Sequence, residues 1–237
     1  MSKRVKKRFT SEVKVIDFEP YLPHKKQRVV ISARNSNQKL YLSKLHDEQN
    51  SIVIAIGPAG TGKTLLAVQN GIKLFQDGVV DKIVVTRPAV SVDEDLGFLP
   101  GDLNEKMAPW TRPIFDVFAE YYKQADIKKM LEEGTIEISP LAYMRGRTFK
   151  NAYIIADECQ NTTVNQMKML LTRLGEGSKM VVTGDLAQAD RLSDNGLIDF
   201  CNLLANKQTK HIDIVRFDAQ DIERHEAVKE VLSIYGD

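Results

Sequence analysis

Ser51-Ile52-Val53-Ile54-Ala55-Ile56-Gly57-Pro58-Ala59-Gly60-Thr61-Gly62-Lys63-Thr64-Leu65-Leu66-Ala67-Val68 is the stretch on which the fold turns. Ile52–Ile56 is apolar at every position, as a strand buried on both faces must be. From Lys63 onward the apolar residues recur at helical spacing. Between the two, Gly57–Thr64 matches G-x-x-x-x-G-K-[ST] at every fixed position. The glycines let successive backbone N–H groups point into one concavity, and the start of the helix adds its positive dipole end there. Lys63 then reaches the outer phosphates of a nucleotide, and the Thr64 hydroxyl takes one Mg²⁺ position. The expected ligands are ATP and Mg²⁺, with Gly57, Pro58, Ala59, Gly60, Thr61, Gly62, Lys63, Thr64 and Leu65 against the nucleotide.

Outward from this segment the chain alternates short β-branched runs with helical patterns. The expected strands are Ile52–Ile56, Lys82–Thr86, Thr135–Ile138, Ala152–Ala156, Lys179–Thr183 and His211–Val215, with a further short one at Arg28–Ser32. Helical patterns occupy Gln38–Asp47, Lys63–Phe75, Arg112–Gln124, Ile127–Glu132, Thr163–Leu174, Leu197–Ala205 and Asp221–Tyr235. Apolar strands separated by helices specify an α/β fold, a mostly parallel sheet sandwiched by helices, and the Gly57–Thr64 motif makes the expectation a RecA-like P-loop NTPase. Residues 1–35 read as a basic, irregular leader and 36–237 as the ATPase domain. Arg87–Trp110, with Pro88, Pro100, Pro109 and the acids Asp93, Glu94, Asp95 and Asp102, breaks the alternation. It reads as a long irregular segment, either covering a sheet edge or binding a substrate or neighbouring subunit.

Composition narrows the class. Apolar residues at 43% and charged residues at 27% of 237 are ordinary for a globular chain. No apolar run is long enough to span a bilayer, and the N-terminus lacks the apolar core of a secretory signal. Two cysteines, Cys159 and Cys201, form no framework, so a reducing cytoplasm is expected. The net charge of +1 hides a polarity: residues 1–28 carry nine Lys or Arg against three acids, a net +6, leaving −5 on the rest. Such an arm either neutralises nucleic-acid phosphates or is simply a solvated leader.

Two more strand ends supply chemistry. Ala152-Tyr153-Ile154-Ile155-Ala156 runs into Asp157-Glu158. Asp157 is the expected Mg²⁺ ligand, directly or through water, and Glu158 the base that takes a proton from attacking water. Val181-Val182-Thr183-Gly184-Asp185-Leu186-Ala187-Gln188 follows the next strand, where Gln188 is placed to sense the γ-phosphate or the water.

With these motifs the chain resembles the PhoH family, whose core is similar to the first motor domain of superfamily 1 helicases. The resemblance is carried by Ile56–Leu65, Thr86–Val90, Leu96–Pro113, Pro140–Thr148, Ile154–Thr163, Val182–Gln188 and, more loosely, Asp221–Val228. Two positions depart from the family pattern. Cys159 stands where alanine is usual, which exposes the site to oxidation, and Glu223-Arg224-His225-Glu226 replaces an Arg-His-Pro form. The resemblance implies that Gln38 contacts the adenine and that Thr86-Arg87-Pro88 meets single-stranded backbone. It also implies a homo-oligomeric ring, hexameric by the family's pattern.

Phosphoryl transfer in such enzymes is accelerated by an arginine against the γ-phosphate. No second motor domain is legible to donate it, so either hydrolysis is slow or a neighbouring subunit supplies it, with Arg224 the first candidate and Arg216, Arg145 and Arg147 behind it. Three readings of what the ATPase drives remain open. They are an RNA or single-stranded DNA motor, a nucleotide-switched regulator of a protein partner, and a small-molecule kinase. Glu158 suits water activation and so disfavours the last. No intrinsic ribonuclease activity is expected, for want of a second metal-binding carboxylate cluster.

Overall fold

A computed structural model describes residues 28–88, 103–190, 193–223 and 226–235. Most of the leader, the acids at 93–95 and 102, Arg224 and His225 lie outside the described residues. Six strands, β1 (Ile52–Ile56), β2 (Lys82–Thr86), β3 (Ile136–Ile138), β4 (Ala152–Ala156), β5 (Lys179–Gly184) and β6 (Ile212–Arg216), form one sheet. Their order is β3-β2-β4-β5-β1-β6, and every pairing is parallel. Seven helices are described: α1 (Ser36–His46), α2 (Lys63–Gln76), α3 (Leu103–Ala119), α4 (Gln124–Glu132), α5 (Val164–Leu171), α6 (Gly196–Ala205) and α7 (Glu226–Tyr235). The architecture is the expected α/β sandwich of the RecA-like P-loop kind.

Handedness dictates which helix covers which face. Parallel crossovers are right-handed. The β1-to-β2 and β2-to-β3 connections travel one way along the sheet, and those from β3 to β4, β5 and β6 travel the other. α2, α3 and α4 therefore share one face, joined by α1, over Val53, Ala55, Ile83, Val85, Tyr153 and Ile155. α5, α6 and the turn Leu141–Met144 cover the opposite face, over Ile52, Ile54, Val84, Ile154, Met180 and Val182. The strict alternation along β1, odd numbers to one layer and even to the other, is why every residue of that strand had to be apolar.

Three local expectations are corrected. Arg28–Ser32 forms no strand: Val29 instead tucks into the α2 layer, its N–H donating to Gln76 Oε1 at 3.3 Å. The described end of the supposedly irregular segment, from Leu103, is the first half of α3, which runs through Pro109 and Pro113. Met107, Ile114 and Phe118 are all fully buried from this helix, and that burial outweighs the prolines' resistance to helix. The last helix begins only at Glu226, because Ala219–Asp221 closes into a separate 3₁₀ turn capped by Asp218.

Other boundaries follow from caps. Asn35, Thr163 and Asn195 each receive the backbone N–H three residues on, starting α1, α5 and α6. Thr163 and Gln166 close a reciprocal capping box. α2 lies unusually close to the sheet at Gly71, where a β-carbon would meet the buried Tyr153 ring at 2.6 Å. The neighbouring Asn70 amide donates to the Tyr153 hydroxyl at 3.1 Å, fixing the ring beneath the helix. Gly71→Ala is expected to destabilise the fold by about 1–3 kcal/mol through this overlap. Urea denaturation would read it as a lower midpoint at unchanged slope.

Candidate functional site

The carboxyl ends of β1, β4 and β5 are adjacent in the sheet, so the three sequence motifs converge at one edge. Crevices outside the carboxyl ends of parallel strands are where α/β folds bind ligands. The loop from β1 to α2 starts at Gly57, whose φ of +145° and contact with Phe217 both require glycine: a β-carbon there would lie 2.4 Å from the Phe217 carbonyl oxygen. The loop is tied down on several sides. Gly57 N–H donates to Gly184 O at 3.2 Å, Glu223 N–H to Gly60 O at 3.0 Å, and Gln38 Nε2 to Thr61 O at 3.1 Å. Lys63 folds its ammonium onto the loop itself, donating to the carbonyls of Gly57 and Pro58 at 2.7 Å each. Burial lowers its pKa, while Asp185, Glu158 and Asp157 pull it back up.

Asp157 is the centre of the site. It is 2% exposed, and a single oxygen, Oδ1, accepts both the Thr64 hydroxyl and the Thr183 hydroxyl at 2.6 Å. Its backbone N–H is taken by the Thr86 carbonyl at 2.9 Å, and the Thr86 hydroxyl beside it is buried without a partner among the described residues. These are hard oxygen donors. One carboxylate, one hydroxyl and substrate phosphates suit Mg²⁺, which binds through few protein ligands. The residues present therefore fit that ion.

Glu158 adopts the left-handed conformation, φ 56° and ψ 48°, a departure that costs a non-glycine residue about 1–3 kcal/mol. Thr183 helps hold it there, accepting the Glu158 N–H at 3.3 Å while donating to Asp157. Both carboxylate oxygens of Glu158 have neighbours. Gln160 Nε2 donates to Oε2 at 2.7 Å, and Arg87 Nη2 lies 3.9 Å from Oε1. Arg87 is itself anchored, donating to the Trp110 carbonyl at 2.8 Å. The buried Gln160 also accepts the Asp185 N–H at 3.4 Å, and Asp185 Oδ2 accepts Gln188 Nε2 at 2.8 Å. A continuous hydrogen-bonded path thus joins Glu158 to Gln188, which is exposed on a 3₁₀ turn after β5.

Beside the loop lies a cavity of about 240 Å³, with Ser32, Arg34, Gln38, Gly62, Leu65 and Glu223 among its lining residues. It is smaller than the roughly 300–1,000 Å³ pockets that take drug-sized ligands, a size for a base rather than a whole nucleotide. Gln38, buried at the end of this cavity, already uses both ends of its amide, with Oε1 accepting the Arg34 N–H at 2.8 Å. A larger groove of about 650 Å³ between α3 and α4, including Phe115, Ile127 and Ile138, shares no lining residue with these motifs.

The structure thus brings together Gln38, Gly57–Leu65, Asp157, Glu158 and Gln188, while Arg224 is outside the described residues. Sequence reasoning missed Thr183, Gln160, Asp185, Arg34 and Glu223. A polar side chain at a buried position near the carboxyl end of β5 was the one available signal for Thr183. Arg147, one of the lower candidates for the γ-phosphate arginine, is instead bound to Glu137 through both guanidinium nitrogens and stacked over Phe149. Burial pushes the Glu137 carboxyl up, but hydrogen bonds from Arg147 and Lys82 more than reverse this.

Residues 30–236 match the family model described as PhoH-like protein. The chain belongs to the PhoH family. It is 44% identical over 210 residues to a PhoH-like protein of Bacillus subtilis (strain 168), covering 86% of this chain and 64% of the relative. It is 45% identical over 208 residues to a PhoH-like protein of Mycobacterium tuberculosis (strain ATCC 25618 / H37Rv), covering 87% and 58%. Protein PhoH of Escherichia coli (strain K12) is 43% identical over 210 residues, covering 87% and 58%. The chain therefore spans about three fifths of the length of these PhoH relatives.

The expectation of an oxidation-sensitive site is corrected. Cys159 is fully buried, its thiol against the Ala156 carbonyl at 3.4 Å, and burial together with Asp157 and Glu158 pushes its pKa well up. Cys201 is also buried and raised. A thiolate is the reactive form, so neither cysteine should be labelled by a thiol reagent at neutral pH until denaturant is added. Rapid labelling of Cys159 in the folded chain, followed by mass spectrometry, would contradict this.

Proposed function

We propose that this chain is a Mg²⁺-dependent ATPase whose hydrolysis is coupled to RNA or single-stranded DNA, working as a homo-oligomer, hexameric by the family's pattern. The observation that carries the reading is the Asp157 oxygen shared between the Thr64 and Thr183 hydroxyls directly beside the glycine loop. Phosphates enter the concavity between the loop and the start of α2, and Lys63 turns from the loop carbonyls to the phosphate oxygens. Thr64 and Asp157 would hold Mg²⁺, which supplies charge neutralisation on the transferring phosphoryl group. The base fills the adjoining cavity, with Gln38 at its edge.

Glu158 is the general base. Its side chain is 36% exposed, so water reaches it, and Gln160 and Arg87 orient its two oxygens. Gln188, through Asp185 and Gln160, reports the state of the γ-phosphate to the same carboxylate. The coupling to nucleic acid rests on the basic leader and the exposed Arg145; Lys150, just before β4, lies at the opposite, amino-terminal edge of the sheet. The arginine that completes the site comes from a neighbouring subunit, with Arg224 the first candidate and the exposed Arg216 the second. Among the described residues no helix is long and apolar enough to cross a membrane. The cytoplasm is the proposed location, in keeping with two free cysteines.

The test is steady-state ATP hydrolysis with and without single-stranded RNA and DNA, with Lys63→Ala as the blank. Stimulation several-fold in the intact chain and none in the blank is the expected result. A flat response with hydrolysis intact would replace the motor by a nucleotide-switched regulator. Glu158→Gln should lower kcat roughly 10²–10⁴-fold while ATP still binds, the scale of a lost general base. A Glu158→Gln enzyme with wild-type turnover would remove Glu158 from that role.

A further inference from the structure

The cavity beside the loop has apolar walls from Leu65 and Leu66 and a polar rim from Ser32, Arg34, Gln38 and Glu223. A base placed there stacks on the walls and is read by the rim. Gln38 is the obvious reader, yet its amide is held in one orientation by Thr61 and Arg34, with one hydrogen and one lone pair already engaged. Glu223 differs in kind. Its carboxylate only accepts hydrogen bonds, and it has more lone pairs than its one long side-chain contact among the described residues, from Asn35 Nδ2 at 3.4 Å, can use.

Glu223 is also fixed relative to the phosphates. Its N–H is bonded to Gly60 O at 3.0 Å, inside the loop that cradles them. Two residues earlier, Asp221 is bonded to Asn37 Nδ2 at 2.8 Å and its carbonyl to Asn35 Nδ2 at 3.3 Å, fastening this segment to the start of α1. The acceptor therefore stands at a set distance from the glycine loop.

Resting on the nucleotide-site reading above, we propose that Glu223 selects the base by accepting a hydrogen bond from the exocyclic 6-amino group of adenine. The remaining Gln38 hydrogen and the Arg34 guanidinium are donors beside that acceptor. Adenine offers the complement on one edge, an N7 acceptor next to the N6 amine, whereas guanine offers two acceptors there. A 6-oxo purine so placed sets its oxygen against the carboxylate. The chain consequently discriminates against GTP, and against a purine that bears hydrogen at position 6.

The test is displacement of a fluorescent, ribose-labelled ATP from the intact chain by ATP, by GTP and by purine-riboside triphosphate, in Mg²⁺. In the wild type ATP should bind roughly 10-fold or more tightly than either competitor, the scale of a hydrogen bond to a charged group. Glu223→Ala should cut that advantage to within about 3-fold, weakening ATP, relieving the repulsion on GTP and leaving purine-riboside triphosphate unchanged. Glu223→Gln, which keeps one acceptor oxygen, should restore part of it. Glu223 is exposed, so neither variant threatens the fold, and melting temperatures would confirm that. Equal losses for all three nucleotides in Glu223→Ala, or GTP binding as tightly as ATP to the wild type, would overturn the proposal while leaving the nucleotide site intact. Failure of every triphosphate to bind would remove the site and this inference together.

Discussion

One carboxylate oxygen holds the carboxyl edge of the sheet in register. Asp157 Oδ1, at the end of β4, takes hydroxyl hydrogens from the first turn of α2 and from the end of β5. It does so almost wholly shielded from water, where unpaired charge is expensive and each charge-assisted bond is correspondingly strong. Withdraw it, and Thr64 and Thr183 lose their shared partner. Thr183 then also loses its orientation toward the Glu158 N–H, and the strained turn at Glu158 loses its support. The position of the proposed general base, Glu158, is thus set by the same atom that positions Thr64, the proposed Mg²⁺ ligand.

The second constraint is the close seating of the glycine loop on Phe217. Because Gly57 has no side chain, the segment leaving β6 packs directly against the loop, and Tyr41 of α1 meets the Phe217 ring edge-on at 5.7 Å. Glu223, six residues on from Phe217, lines the cavity beside the loop. The cavity is therefore built from three pieces distant in sequence, α1, the loop and the strand-β6 exit, and from no single motif.

That difference explains what was legible in the sequence. Strands β1, β2, β4 and β5 could be read to within a residue, because a strand buried on both faces must be apolar throughout. The loop and the acid pair were equally plain, since their chemistry admits few residue types. Helix α3 was obscured by Pro109 and Pro113, whose local preference lost to the burial of Met107, Ile114 and Phe118. Gln160 and Glu223 were invisible for another reason. An amide or a carboxylate is an ordinary surface residue until tertiary structure sets it beside a partner, and the Asn35 contact of Glu223 spans 188 positions. Arg147 misled in the opposite sense: a basic residue in a loop looked free, but Glu137 on edge strand β3 claims it.

The stapling of α1 to the segment after β6 has a consequence for how the molecule matures. Asn37 and Asp221 are 184 positions apart, and their bond forms only when the first helix and the last strand have both docked on the sheet. Contacts of such separation are made late, after the entropy of the intervening chain has been overcome. A partly synthesised or partly folded chain would carry the glycine loop without the wall that retains a base. Capture of the proposed nucleotide would then mark completion of folding, and a saturating ligand would deepen the native basin by acting on that last step.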